Sequence, residues 1–254
     1  MNSNFGRGAF APDNFHHATM TTIELNLTTK QLARTTGFFY VLIIACGLMS
    51  GMFVRGALID PMNAEITLNN LIENESLFRL GFLGDLVMVL SDVTVSVLFY
   101  FLLREVHHGL AIFAAVFRLL QSAVLGANLI NLFKPLLMIQ GVEEMSASQL
   151  SDLSREVLIQ MQVFDHGYLI SGVFFAINCL LMGILLYHSK NFPNILGAML
   201  FVAGFGYLFN STANFVAPSL IEISELVMFF TAVIAELSFC AYLLIKGVRT
   251  FPQG

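Results

Sequence analysis

The sequence reads as an all-α integral membrane protein, a bundle of six transmembrane helices with short cytoplasmic turns and two partly helical outer connections. Three observations carry that reading. Apolar residues make up 57% of the 254-residue chain and charged residues 11%, where a soluble domain runs about 45–50% and about 25%. The mean hydropathy is +0.78, and the 12 Lys+Arg with 17 Asp+Glu are too few to cover a soluble surface of this size. Six stretches then each supply the roughly 20 mostly apolar residues that a helix needs to cross the hydrocarbon core. Disorder, a coiled coil, collagen and a disulfide scaffold are excluded by the same composition.

The six runs are 36–54, 80–103, 110–133, 168–187, 195–216 and 226–246. In lipid every backbone donor and acceptor must be satisfied within its own segment, so runs this long are helices. Strands of a membrane barrel would alternate over about 10 residues, and these runs do not. Ahead of the first run lies a polar leader, residues 1–35. It lacks the apolar core of a signal peptide and is expected to be disordered, with Met20 a candidate natural start. Residues 36–246 form the membrane domain and 247–254 a short cytoplasmic tail.

Orientation follows from Lys and Arg near the ends of the runs. With the N-terminus inside, the cytoplasmic side carries Arg7, Lys30, Arg34, Arg104, Lys190, Lys246 and Arg249, against Arg55, Arg79, Lys134 and Arg155 outside. The expectation is a multi-pass protein of the cell inner (plasma) membrane with both termini cytoplasmic. The turns at 104–109 and 188–194 are short, so they join adjacent antiparallel helices. The outer connections are longer and acidic, with Glu65, Glu73, Glu75, Glu143, Glu144, Asp152 and Glu156 among their residues, and offer a surface to a protein partner. Within them 63–78 and 146–164 are expected to be helical. The second opens with Ser146 and puts Leu150, Leu153, Val157, Leu158 and Met161 on one face. Both are expected to lie at the outer interface or to cap the bundle. Asp165 reads as the N-cap of the fourth spanning helix.

The net charge of −5 argues against nucleic acid, which needs clustered Lys and Arg. Cys46, Cys179 and Cys240 lie inside apolar runs without C-x-x-C spacing, so neither a zinc site nor a disulfide is suggested, and no cofactor is expected. His107, His108 and His188 read as solvated turn residues. There is no phosphate loop, nucleophile elbow, H-E-x-x-H or dinucleotide fingerprint to name a reaction.

Ionisable residues at mid-membrane depth cost at least about 2.5–3.5 kcal/mol each, which makes Asp85, Asp92, Arg118 and Glu236 the strongest functional pointers. Asp92, Arg118 and Glu236 sit at similar depth on three helices, and Asp85 is two turns nearer the outside. At about 100° per residue, Asp85, Asp92 and Ser96 fall within an arc of about 40°. Arg118, Gln121, Asn128 and Asn131 share an arc of about 140°, and Tyr207, Asn210, Ser211 and Asn214 one of about 100°. Such stripes should face the bundle interior. The expected site is an Asp92–Arg118 ion pair, with Asp85, Gln121, Asn128, Asn131, Asn210 and Asn214 lining an outward-facing polar cavity. One Arg cannot neutralise Asp85, Asp92 and Glu236 together, which leaves carboxylates to protonate or to bind a cation. A structural alternative stands beside this one: the ion pair locks two helices, and the amides, Asn178 included, hold helices together. The charge imbalance favours a small-molecule or proton/ion-linked transporter or a ligand-binding membrane protein. A non-catalytic sensor or accessory subunit and a membrane enzyme acting on a lipid are the alternatives.

The runs ESLFRLGFLGDLVMVLSDVTVSVLFYFLL, GLAIFAAVFRLLQSAV and LLMGILLYHSKNFPNILGAMLFVAGFGYL resemble a bacterial integral-membrane family catalogued as domain of unknown function 4386. The resemblance runs from Lys30 to Lys246. Its most specific pieces are Leu77, Phe78 and Arg79 with Asp85 and Asp92 following, Phe117 with Arg118, and the Ser189–Gly197 turn carrying Pro193. It implies a multi-pass inner-membrane protein and no activity.

Overall fold

The computed structural model of the chain describes residues 28–249. Of the leader at 1–35, expected to be disordered, residues 1–27 with the Met20 start fall outside the described residues, as does the end of the tail, while 29–35 are helical. All six apolar runs are helices, and no strand occurs among the described residues. The helices are α1 (Thr29–Leu58), α2 (Ala64–Glu73), α3 (Glu75–Leu103), α4 (His108–Met138), α5 (Ala147–His188), α6 (Asn194–Val216) and α7 (Ile221–Ile245). Six of them, all but α2, are long and apolar enough to cross a membrane. The first and last described residues share one face of the bundle, called near below, and the long connections share the far face.

Local chemistry sets the ends. α1 begins at Thr29 rather than at 36, because Thr28 and Gln31 form a reciprocal capping box that satisfies two orphan N–H groups. Asn63 Oδ1 accepts from Ile66 N–H at 3.1 Å to start α2, and His107 Nδ1 accepts from Leu110 N–H at 3.1 Å to start α4. Ser146 donates its N–H to Gln149 Oε1 at 2.8 Å at the head of α5. That helix then runs unbroken for 42 residues, about 63 Å at 1.5 Å per residue, roughly twice the hydrocarbon thickness. The amphipathic segment at 146–164 is therefore the far end of the fourth spanning helix, and Asp165 lies inside that helix instead of capping it.

Two of the spans depart from regular α-helix. Residues Met49–Arg55 of α1 are wound as a π-helix, and α4 continues through Pro135 to Met138. The wide turn of α1 meets glycines on α3. A Cβ on Gly81 would lie 2.8 Å from Val54 Cγ1, and one on Gly84 2.5 Å from Ser50 Oγ. Ser50 Oγ donates to Gly81 O at 2.8 Å across the same contact.

Packing follows chain order. α1 packs on α3, α3 on α4, α4 on α5, α5 on α6 and α6 on α7, and α7 returns to α1, so the six spans close into a ring. α2 lies against the far end of α5. Inside the ring are two apolar cores. The near core gathers Tyr40, Phe99, Leu186, Phe192 and Phe239; the far core gathers Val54, Phe78, Leu132, Val157 and Phe164. The outer surface carries exposed Phe53, Leu90, Ile130, Ile195 and Ile234, the inverse of a soluble domain and the pattern lipid requires.

Candidate functional site

Between the two cores lies a polar layer, and within it an interior chamber of about 150 Å³ walled by residues from all six spanning helices. A single water needs about 10–15 Å³, so the chamber has room for several waters or one small organic molecule. Of the sequence-predicted residues, Asp92, Arg118, Gln121, Asn210 and Glu236 line it. Tyr168 and Tyr207 line it too.

Asp92 and Arg118 form a buried ion pair, Oδ1 to Nη2, at 2.5 Å. Ser122 Oγ donates to the second Asp92 oxygen at 2.7 Å. The guanidinium carbon sits 5.5, 5.6 and 5.2 Å from the ring centres of Tyr40, Phe99 and Phe175, an aromatic box that favours a cation through the ring quadrupoles. Arg118 Nη1 also donates to Asn178 Oδ1 at 3.5 Å, while Asn178 Nδ2 donates to Ala114 O at 2.7 Å. Asn178 thus ties α5 to α4. Among the described residues, two buried polar atoms of this wall have no partner: the donor Arg118 Nε and the acceptor Gln121 Oε1.

Glu236 approaches from α7. Its Oε1 accepts from Tyr207 Oη at 2.5 Å and its Oε2 from Tyr40 Oη at 3.3 Å. Among the described residues it makes no ion pair, and it lines the chamber. α1 and α6 each contribute one tyrosine, so three helices converge on this carboxylate.

The other predicted residues lie elsewhere. Asp85 is buried and ion-paired to Arg55, whose guanidinium stacks 5.0 Å from the ring centre of Phe164. A second arginine therefore serves the second aspartate, and Asp85 is absent from the chamber wall. Its Oδ1 has no partner among the described residues. Asn128 and Asn131 belong to a ladder between α4 and α5. Lys134 Nζ donates to Gln160 Oε1 (3.1 Å), Gln160 Nε2 to Asn131 Oδ1 (3.1 Å), Asn131 Nδ2 to Asn128 Oδ1 (2.9 Å), and Asn128 Nδ2 to Phe164 O (2.8 Å). Gly167 makes the space for it, since a Cβ there would lie 2.5 Å from Asn128 Cγ. Asn214 bonds back to Asn210 O at 3.0 Å on its own helix, and Asn210 Oδ1 accepts from Ser224 Oγ at 3.2 Å. These amides hold helices together, as the structural alternative has it, and only Asn210 among them also reaches the chamber.

The residues that sequence reasoning missed are Arg55 and Tyr40. Arg55 falls just past the apolar run, and the π-helical turn keeps it within the bundle. Tyr40 is the polar group of an otherwise apolar stretch of α1, which is the only signal the sequence gives of it.

A closed ring of six apolar helices around a polar chamber defines a multi-pass α-helical membrane protein. The chain belongs to the family described as Domain of unknown function (DUF4386), whose profile matches residues 35–247. It is similar to an uncharacterized protein of Archaeoglobus fulgidus, 27% identical over 164 residues that cover 65% of this chain and 82% of that one. No solved structure matches.

Proposed function

We propose that this protein binds a small molecule or ion in the interior chamber and carries it across the membrane, with Glu236 linking occupancy to a proton. Glu236 is the observation that carries the reading. It is a mid-helix carboxylate held by two tyrosine hydroxyls, on the wall of a chamber to which all six spans contribute, and among the described residues no Lys or Arg pairs with it. A structural clamp needs neither a chamber nor an unneutralised carboxylate; Arg55–Asp85 has neither. Since a charge at this depth costs several kcal/mol, the chamber is neutral at rest only with a proton or a cation at Glu236. The π-helical turn of α1 and Pro135 in α4 supply irregular backbone of the kind that marks functional hinges. The Lys and Arg distribution supports an inner-membrane location with both termini cytoplasmic.

The test is flux. Proteoliposomes with an internal pH dye are challenged with a mixture of small amines, amino acids and inorganic cations. The wild type should give a solute-dependent pH change at least tenfold larger than Glu236→Gln. Equal responses from the two overturn the reading.

The acidic far face favours a second reading, a non-catalytic sensor or accessory subunit docked by a protein partner. A groove there is formed by α2 and the extension of α5, with Glu65 and Glu143 on its walls. A partner held by this groove would be lost on Glu65→Lys with Glu143→Lys, measured by co-purification from native membranes.

A further inference from the structure

The charge and shape of the chamber favour one ligand chemistry, a step that rests on the reading above. Asp92 spends its charge on Arg118 and Asp85 spends its charge on Arg55. The tyrosine hydroxyls at Glu236 supply hydrogen bonds but no charge. The wall therefore holds one carboxylate more than it holds guanidinium. In the same wall Gln121 Oε1 is a buried acceptor with nothing to accept from. Aromatic residues share the wall with both: Phe175 and Tyr207 pack edge to face with ring centres 4.9 Å apart, and Tyr168 also lines the chamber. The rest of the wall includes the aliphatic Ile43, Leu125 and Met228.

An unpaired carboxylate, a free acceptor and aromatic faces are what a positively charged nitrogen seeks. We infer that the chamber binds a small organic ammonium ion, its nitrogen on Glu236, with Gln121 as the second acceptor of the same wall and its short hydrocarbon part against the aliphatic wall. Competing chemistries fit less well. A divalent metal takes six or more oxygen ligands at about 2.0–2.6 Å, and this wall offers one free carboxylate. An anion would meet Glu236 and an arginine already paired. A neutral molecule without a donor leaves both Glu236 and Gln121 Oε1 unanswered. A cavity of about 150 Å³ admits a molecule the size of benzene, so the ion is of about that size or smaller.

Binding exchanges the ammonium ion for a proton. The Glu236 carboxyl O–H bond breaks, the proton leaves to solvent, and the carboxylate pairs with the incoming nitrogen cation. No other bond forms or breaks.

The experiment uses the full chain in detergent with butylammonium chloride, and with sodium butyrate and butanol as comparators at matched ionic strength. Butylammonium should raise the unfolding temperature and release about one proton per molecule bound, read with a pH indicator in weak buffer. Glu236→Gln should bind it at least tenfold more weakly and release no proton. Gln121→Met, which keeps the chamber filled to a similar extent, should bind it about three- to tenfold more weakly, the worth of one hydrogen bond. Stabilisation by butyrate or butanol equal to that by butylammonium overturns the inference but leaves a ligand chamber in place. So does a butylammonium shift that survives in both variants. If none of the three compounds shifts the wild type, the inference is overturned, and the flux comparison above decides whether the underlying reading falls with it.

Discussion

The near and far halves of the bundle are joined by different forces. In the near half, rings and glycines close the interior: Phe99 stacks on Phe239 at 5.4 Å, Tyr40 and Phe192 meet Phe239 edge to face, and α5 and α6 touch through backbone at Gly183 and Gly197. In the far half an apolar core is threaded by directional bonds: Arg55–Asp85, Ser50 to Gly81, and the amide ladder from Lys134 to Phe164. Close-packed contacts lose their energy within a fraction of an ångström. Hydrogen bonds can be exchanged for water with little net change. On these contacts, separating helices is expected to cost less per contact among the far-side hydrogen bonds than among the near-side packed rings.

The largest effect should come from the layer on which both halves rest. Arg118→Leu leaves Asp92 buried without a counterion and should cost about 3–5 kcal/mol, measured by unfolding in detergent. The double variant with Asp92→Leu should recover most of it, because an apolar pair of similar volume is tolerated. Gly197→Ala tests the near half. Its Cβ would lie 2.6 Å from Gly183 O and 2.8 Å from Tyr187 Cα, backbone atoms that cannot step aside, and a loss of about 1–3 kcal/mol or more is expected. Gly126→Ala is the matched control in α4, where the nearest atom is Val89 Cγ1 at 3.5 Å; it should be neutral. Asn128→Ala tests the far half by freeing Phe164 O and Asn131 Nδ2. A membrane hydrogen bond is worth about 0.6 kcal/mol on average and about 1.7 at most, so the loss should be smaller than for Gly197→Ala. The reverse order would reverse the comparison. Smallest of all is Arg79→Ala, which breaks an i,i+4 pair with Glu75 at 2.6 Å. Both side chains are more than two-fifths exposed, and the loss should stay below about 0.5 kcal/mol.

Six spans and their order were legible because lipid leaves a chain few options: a long apolar run must be a helix. The Asp92–Arg118 pair was legible for a related reason, since two opposite charges at one depth on successive helices have little else to meet. Arg55–Asp85 was not. Hydropathy ends the first run at residue 54, while the helix continues to Leu58 through a π-helical turn that no periodicity announces. Helical phase also assigned Asn128 and Asn131 to the interior without distinguishing a cavity wall from a contact between helices. That distinction depends on Gly167 standing opposite Asn128, a register set by tertiary packing. The long α5 was hidden by a change in pattern from amphipathic to apolar. The absence of any Gly or Pro between 147 and 166 was the cue that it is one helix.

The closure of the ring by α7 on α1 has a consequence for how the chain is made. Spans inserted in order of synthesis build an open arc, and until the sixth arrives the arc leaves Arg118 and Asp92 beside a gap filled by lipid or water. The last helix closes that gap and delivers Glu236 to its two tyrosines in the same event. Glu236 and its two tyrosines therefore come together only once the ring is complete.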